Sequence, residues 1–203
     1  MAVLLHIDSS LFPLENSGSR RLTDAFRRTW EETHPQGNVI YRDLAAHPVP
    51  HLDAATATAE SVPPLRAELI AEYEKADVIV IGAPMYNFAI PSTLKAWLDH
   101  VILAGRTFGE GVAPSGKRVV IASSRGGSYQ PGTPRAGFEF DTNYLRKVLG
   151  DALGLEVEVI TRELTLAAVN PAMAELIPLA EESDRQSLAR ATESAREHTA
   201  RLG

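Results

Sequence analysis

The chain reads as a doubly wound α/β protein built on a five-stranded parallel sheet. Three observations lead there. Short apolar runs alternate with stretches whose apolar residues recur at helical spacing. The run Val78-Ile79-Val80-Ile81 is β-branched throughout, as a strand buried on both faces must be. The elements sum to βαβαβαβαβα, and parallel strands joined by crossover helices make that pattern.

Val3 to Ile7 is the first strand. A loop with Ser9, Ser10, Pro13 and Ser17-Gly18-Ser19 follows. Leu22, Ala25, Phe26, Thr29 and Trp30 then mark a helix. Val39 to Asp43 is the second strand, and residues 44–62 are mostly loop, broken by Pro48 and Pro50. Those prolines keep His47 and His51 off a regular helical face, which disfavours a metal pair there. Pro63 and Pro64 open a helix carrying Leu65, Leu69, Ile70 and Tyr73.

The third strand runs to Ala83, where Pro84 ends it. Pro91 opens the helix of Leu94, Trp97, Leu98, Val101 and Ile102. A glycine-rich loop from Ala104 to Lys117 leads to the fourth strand, Val119 to Ala122. The long loop Ser123 to Arg135 follows, and loops of that length inside a domain are usually functional. Tyr144, Leu145, Val148, Leu149, Ala152 and Leu153 form a further helical stripe. Glu156 to Thr161 alternates, as a half-exposed edge strand does. Leu188, Ala191, Ala195, Thr199 and Leu202 mark the last helix. Strands 1, 3 and 4 are apolar throughout and strand 5 is not, which suits the order 2-1-3-4-5.

With 203 residues, one domain over 1–203 is expected. Composition is globular, at 44% hydrophobic and 23% charged residues. No cysteine occurs, which excludes disulfides, thiolate metal sites and a cysteine nucleophile. The net charge of −6 and the lack of a basic cluster disfavour nucleic acid and anionic membranes as partners. The apolar start at Ala2-Val3-Leu4-Leu5 is too short for a signal sequence, and no run is long enough to span a membrane. A soluble, cytoplasmic protein is expected.

In an open α/β sheet, ligands bind at the carboxyl ends of the strands. Three loops lie there. Ser10, Ser17, Gly18 and Ser19 precede a helix, the arrangement of a phosphate cradle, with Arg20 and Arg21 adding charge; a plain helix cap is the alternative. Met85, Tyr86, Asn87 and Phe88 offer an apolar wall and one amide, suited to a flat heterocycle such as an isoalloxazine; ordinary core aromatics are the alternative. Ser124, Arg125, Gly126 and Gly127 allow close backbone approach. There is no G-x-G-x-x-G, no G-x-x-x-x-G-K-[ST] and no G-x-S-x-G, which disfavours Rossmann, P-loop and α/β-hydrolase chemistry.

Pro84-Met85-Tyr86-Asn87-Phe88 with Leu94-Lys95, then Ser124-Arg125-Gly126-Gly127, and more loosely the early serines, resemble the FMN-dependent NADH-azoreductases of the flavodoxin-like superfamily, related to NAD(P)H:quinone oxidoreductases. The resemblance covers nearly the whole chain. It implies a flavodoxin-like homodimer with tightly bound FMN at the subunit interface. Ser10 and Ser17 to Ser19 would hold the phosphate, Met85 to Phe88 would line the ring, and Ser124 to Gly127 would hold its pyrimidine side. NADH or NADPH would reduce the flavin, and a quinone or azo compound would take the electrons in a ping-pong cycle. No side chain is expected to act as nucleophile and no metal is expected; Tyr129 is the candidate for proton support. The chain departs from the family in its short loop from Phe108 to Lys117 and in Asp151, where some members carry a phenylalanine over the flavin. Both changes are expected to make the acceptor pocket smaller and wetter and to favour quinones over azo dyes.

The competing reading is a non-catalytic electron carrier of the flavodoxin type. Segments 83–91 and 123–137 contain no Asp or Glu, and the second carries Arg125 and Arg135. That charge pattern favours reduced flavin and an anionic nicotinamide partner, hence catalysis.

Overall fold

The computed structural model describes residues 1–113 and 115–199. Five parallel strands, β1 (Val3–Asp8), β2 (Asn38–Asp43), β3 (Val78–Pro84), β4 (Arg118–Ser124) and β5 (Glu156–Arg162), form one sheet in the order β2-β1-β3-β4-β5. The helices are α1 (Gly18–Thr33), α2 (Ala54–Ala57), α3 (Pro64–Lys75), α4 (Ser92–Val101), α5 (Thr142–Leu145) and α6 (Ile177–Thr199).

Alternation along each central strand divides the core in two. Leu5, Ile7, Ile79, Ile81, Val119 and Ile121 share a buried cluster with Leu69 of α3, Trp97 of α4 and Leu145 of α5. Leu4, Val78, Val80, Val120 and Ala122 share the other with Phe26 and Trp30 of α1 and Ala195 of α6. Each fully buried Leu, Ile or Val contributes about 1.5–3 kcal/mol, so both clusters hold the sheet firmly. Because α1 and α6 lie on one face and α3, α4 and α5 on the other, the chain reverses direction between β1 and β3. That opens a crevice at their carboxyl ends.

Four elements differ from expectation. The stripe after residue 142 is one α turn followed by a π-helix at Arg146–Ala152. The wider winding places Leu145, Leu149 and Leu153 inside and leaves Ala152 exposed. β5 is not cleanly alternating: Glu158 is half-buried because Arg190 Nε and Ser194 Oγ of α6 each donate to it at 2.7 Å. Residues 44–62 contain the single turn α2, capped where Thr56 N donates to Asp53 Oδ1 at 2.7 Å. The last helix begins at Ile177, well before Leu188; Leu202 lies outside the described residues.

Candidate functional site

The loops after β1, β3 and β4 meet at the crevice. Ser9 is pinned to β3, its Oγ donating to the Gly82 carbonyl at 2.6 Å. Ser10 is buried, with its Oγ 3.3 Å from the Tyr86 hydroxyl, which also accepts from Leu11 N at 3.1 Å. Ser17 caps α1, its Oγ accepting from Arg20 N at 3.3 Å. Ser19 is buried, with its Oγ 3.3 Å from that of Ser17. The N–H groups of Gly18 and Ser19, in the first turn, have no acceptor within the helix and face the loop. Ser10, held by Arg20 through its carbonyl at 2.9 Å, and Ser17, Gly18 and Ser19 thus gather hydroxyls and free N–H groups at the head of α1, a donor set suited to an anion.

Gly18 has a packing reason as well. A Cβ there would lie 2.9 Å from Ser124 Cβ, so only glycine lets the head of α1 rest on the end of β4. Met85 N donates to the Ser124 carbonyl at 2.8 Å, which joins the third loop to the second.

The stretch Tyr86–Ala89 is a tight hairpin turn. Tyr86 N donates to the Ala89 carbonyl at 2.9 Å, and Ala89 N to the Tyr86 carbonyl at 3.1 Å. Asn87 and Phe88 have φ of 49° and 71°, the left-handed pair such turns need. Asn tolerates this region; a side chain like that of Phe88 pays roughly 1–2 kcal/mol. Asn87 is exposed, and among the described residues its amide has no partner. Phe88 packs on Phe138 at 5.3 Å and edge-on to Tyr129 at 6.4 Å, with the Arg135 guanidinium 6.0 Å over its ring. Phe140 N donates to the Phe88 carbonyl at 3.1 Å, so the segment after β4 braces the turn.

The two arginines that the sequence places at the site turn inward. Arg20 donates to both oxygens of Asp43 at 2.8 Å, approaches Asp8 Oδ2 at 3.4 Å and donates to the Ser10 carbonyl at 2.9 Å. Burial works against its charge, but Asp43 and Asp8 more than offset that and hold it firmly protonated. Burial and the same two acids push the Tyr41 phenol up to about 12. Arg20 thus shapes the cradle and brings no net charge to it. Arg125 is buried among Glu139, Asp141 and Glu163, at 3.5, 3.4 and 3.6 Å. Its backbone N donates to the Arg162 carbonyl at 2.9 Å. Segment 123–137 has no acid of its own, yet the fold supplies three from outside it. Arg125 therefore brings no free positive charge to the loop, contrary to expectation, and Arg135 is the exposed cation of this segment.

Asp141 is fully buried, and burial followed by its hydrogen bond with Glu139 pushes its carboxyl up to about 6. Glu139 is pulled down to about 2: burial opposes this, while Asp141, Thr142 and the Arg125 charge favour it. The pair therefore holds one proton between about pH 2 and 6.

The glycine pair divides into two roles. A Cβ on Gly126 would lie 2.7 Å from Leu166 Cδ1, so this glycine admits the loop after β5 rather than a ligand. A Cβ on Gly127 would meet nothing within 4 Å, which leaves its backbone open to an incoming ring. Leu166, Glu163, Glu139 and Asp141 are absent from the sequence-based site; nothing in their spacing announces that they fold back onto residue 125.

A family model described as the flavodoxin-like fold matches residues 2–193. An FMN-dependent NADH:quinone oxidoreductase of Streptomyces coelicolor is 56% identical over 100% of this chain and 97% of its own length. The chain belongs to this family. A relative of the same name from Nostoc is 41% identical over 87% of this chain and 99% of its own length. Among solved structures, an azoreductase from Bacillus anthracis superposes with a TM-score of 0.82 at 22% identity, covering 97% of this chain and 100% of that one. An FMN-dependent NADH-azoreductase from the same species, solved in complex with FMN, gives 0.77 at 21% identity over 96% of this chain and 100% of that one. These likenesses establish the fold.

In this family member the two departures from the azoreductase pattern lie away from the crevice. α4 and α5 each run from the carboxyl ends of the strands back to the amino ends. Residues 104–113 therefore sit at the opposite end of the sheet, where Arg106 Nε pairs with Glu74 at 2.8 Å. Phe108 does not join Phe88 in one patch; Phe138 and Phe140, both more than half exposed, do. Asp151 is at the far end of its helix and pairs with Lys147 at 2.6 Å. Neither can wet a pocket formed by this chain alone. Among the described residues no helix is long and apolar enough to cross a membrane.

Proposed function

We propose that the chain binds one FMN in the crevice and works in the cytoplasm, acting as the NADH:quinone oxidoreductase that its relatives' names describe. The observation that carries this is the convergence of three loops at the carboxyl ends of β1, β3 and β4, tied by Tyr86 to Ser10, by Met85 to Ser124 and by Gly18 to Ser124. The donor set fits the cofactor. Ser10, Ser17 and Ser19 with the first N–H groups of α1 suit the phosphate. The N–H groups of Asn87, Phe88, Gly126 and Gly127, which the loops' own hydrogen bonds leave unused among the described residues, suit a ring edge together with the side-chain amide of Asn87.

Bound FMN would supply two-electron hydride chemistry. The protein's part is positioning: its backbone sets the ring plane, and the Phe88, Tyr129 and Phe138 cluster walls one side for a flat partner. Arg135, exposed over Phe88, is the group that would meet the phosphates of a nicotinamide dinucleotide. Tyr129 is half-buried beside Phe88 and is the proton donor candidate for a reduced oxygen. One acceptor face used in turn by NADH and quinone requires ping-pong kinetics, and the name of the relatives, not the loop at 104–113 or Asp151, is what favours a quinone over an azo dye.

A homodimer is part of this reading. Phe88, Phe138 and Phe140 are exposed together. Phe140 also lines a mostly apolar cavity of about 720 Å³ with Ala89, Ile90 and Tyr144. A second copy would cover that surface.

The test is direct. The purified protein should be yellow, take up FMN at one per chain and sediment as a dimer. A steady-state panel of NADH and NADPH against quinones and azo dyes should give parallel-line kinetics and the higher kcat/KM with a quinone. An FMN-loaded protein with no turnover would move it to the electron-carrier reading. Failure to bind FMN would end both.

A further inference from the structure

The cation best placed for the cofactor phosphate lies on β5, outside every motif of the cradle. Arg162 ends that strand. A Cβ on Gly18 would lie 3.2 Å from Arg162 Cδ and 3.3 Å from its Nη1, so the guanidinium rests against the first residue of α1. From α6, Asp184 holds it, with Arg162 Nε 2.9 Å from Asp184 Oδ1. The other oxygen of Asp184 takes Arg21 Nη2 at 3.1 Å.

Two guanidiniums thus share one carboxylate, which leaves a surplus positive charge beside the cradle. The other arginines nearby are the reverse: Arg20 faces two acids and Arg125 three. Among the described residues, no group accepts a hydrogen bond from the Arg162 guanidinium with good geometry, although only 20% of its side chain is exposed. Burial first, and then the charge of Arg21, lower its affinity for its own proton, while Asp184 opposes them. A further anion at the head of α1 would relieve this imbalance. A flavin phosphate carries between one and two negative charges near neutrality, more than the roughly half charge of a helix end can match.

We propose that Arg162, steered by Asp184, is the specificity-determining cation for the phosphate of the flavin. It makes the chain select FMN over unphosphorylated riboflavin. The inference rests on the FMN reading above and adds to it a residue that the cradle motif does not contain.

The full chain, stripped of flavin, is titrated with FMN and with riboflavin at low and high salt, and flavin fluorescence is followed. Wild type should prefer FMN, with a preference that weakens as salt rises. In Arg162→Gln the Kd for FMN should rise about tenfold, that for riboflavin should stay within about twofold, and the salt dependence should flatten. Arg162→Lys should keep most of the preference. Asp184→Asn provides the opposite sign: it removes the shared acid, so the ratio of the two affinities should hold or rise. If Arg162→Gln loses its circular dichroism melt, Arg21→Gln, at a more exposed position, must lower the same ratio. Equal losses for both flavins, or Arg162→Gln and Asp184→Asn falling together, would make the pair structural and overturn the assignment. A wild-type chain that binds neither flavin would instead sink the FMN reading itself.

Discussion

The two buried arginines that flank the crevice keep unlike company. Arg20, behind the cradle, meets Asp43 in a two-pronged pair with both bonds at 2.8 Å. Arg125, behind the glycine loop, meets three carboxylates, none closer than 3.4 Å. The first cluster is a well-formed buried ion pair with Asp43 held below its ordinary range: burial opposes this, and the Arg20 hydrogen bond outweighs it. The second has more acid than base and resolves the excess by keeping a proton on Asp141. The difference teaches that a buried arginine at a ligand site is not evidence of a positive site. What its neighbours are decides the charge the ligand meets.

The largest expected effect is on folding. Arg20→Met leaves Asp8 and Asp43 buried without their partner and should cost about 3–5 kcal/mol in urea unfolding. Arg125→Met should cost a similar amount at pH 8 and clearly less below pH 6, where Asp141 can remain neutral. Equal losses for Arg125→Met at both pH values would dissolve the contrast between the clusters.

The glycines sharpen it next. Gly126→Ala meets the half-exposed Leu166 side chain, which can turn away, and should cost about 1 kcal/mol, recovered in the double variant with Leu166→Ala. Gly127→Ala meets open space, so flavin affinity should fall while the unfolding midpoint stays put. A double-mutant cycle showing no coupling between 126 and 166 would remove the packing role assigned to Gly126.

The turn gives an effect no larger than this. In flavin-free protein Asn87→Ala should lose about 1 kcal/mol, because alanine is poorly suited to a φ of 49°, and Asn87→Gly should lose almost nothing. Both should bind FMN more weakly if the amide meets the ring. A glycine variant that binds like wild type would reduce Asn87 to a conformational role.

The pH dependence of the acid pair is the finest test. Asp141 at about 6 lies above its usual 3.8, so its contribution to stability declines as pH rises from about 4 through 6. Glu139 at about 2 lies below its usual 4.5, so its contribution is lost as pH falls from about 4.5 toward 2. Together they favour the folded state most between about 4 and 4.5, where one carboxyl is neutral and the other ionised; above that the Asp141 contribution falls, and below it the Glu139 contribution does. Asp141→Asn mimics the neutral form and should remove the decline above pH 4 while leaving the acid limb intact, as read from urea midpoints across pH.

The strand order, the helices on both faces and the three loops at the carboxyl ends follow from local pattern, and local pattern is a property of the chain alone. Apolar runs, helical spacing and the prolines at 84 and 91 act through neighbours a few residues apart. The motif residues from Ser10 to Gly127 could be named for the same reason. What tertiary structure alone decided is charge and reach. Arg20 and Arg125 look like free cations until Asp43 of β2 and Glu163 after β5 fold onto them. Arg162 looks like an edge-strand residue until α1 lays Gly18 against it. The family resemblance puts Phe108 and Asp151 near the flavin, but the helices that follow β3 and β4 carry them to the other end of the sheet. Coulomb interactions and steric contacts depend on distance in space, and no spacing along the chain encodes which distant carboxylate arrives at which guanidinium.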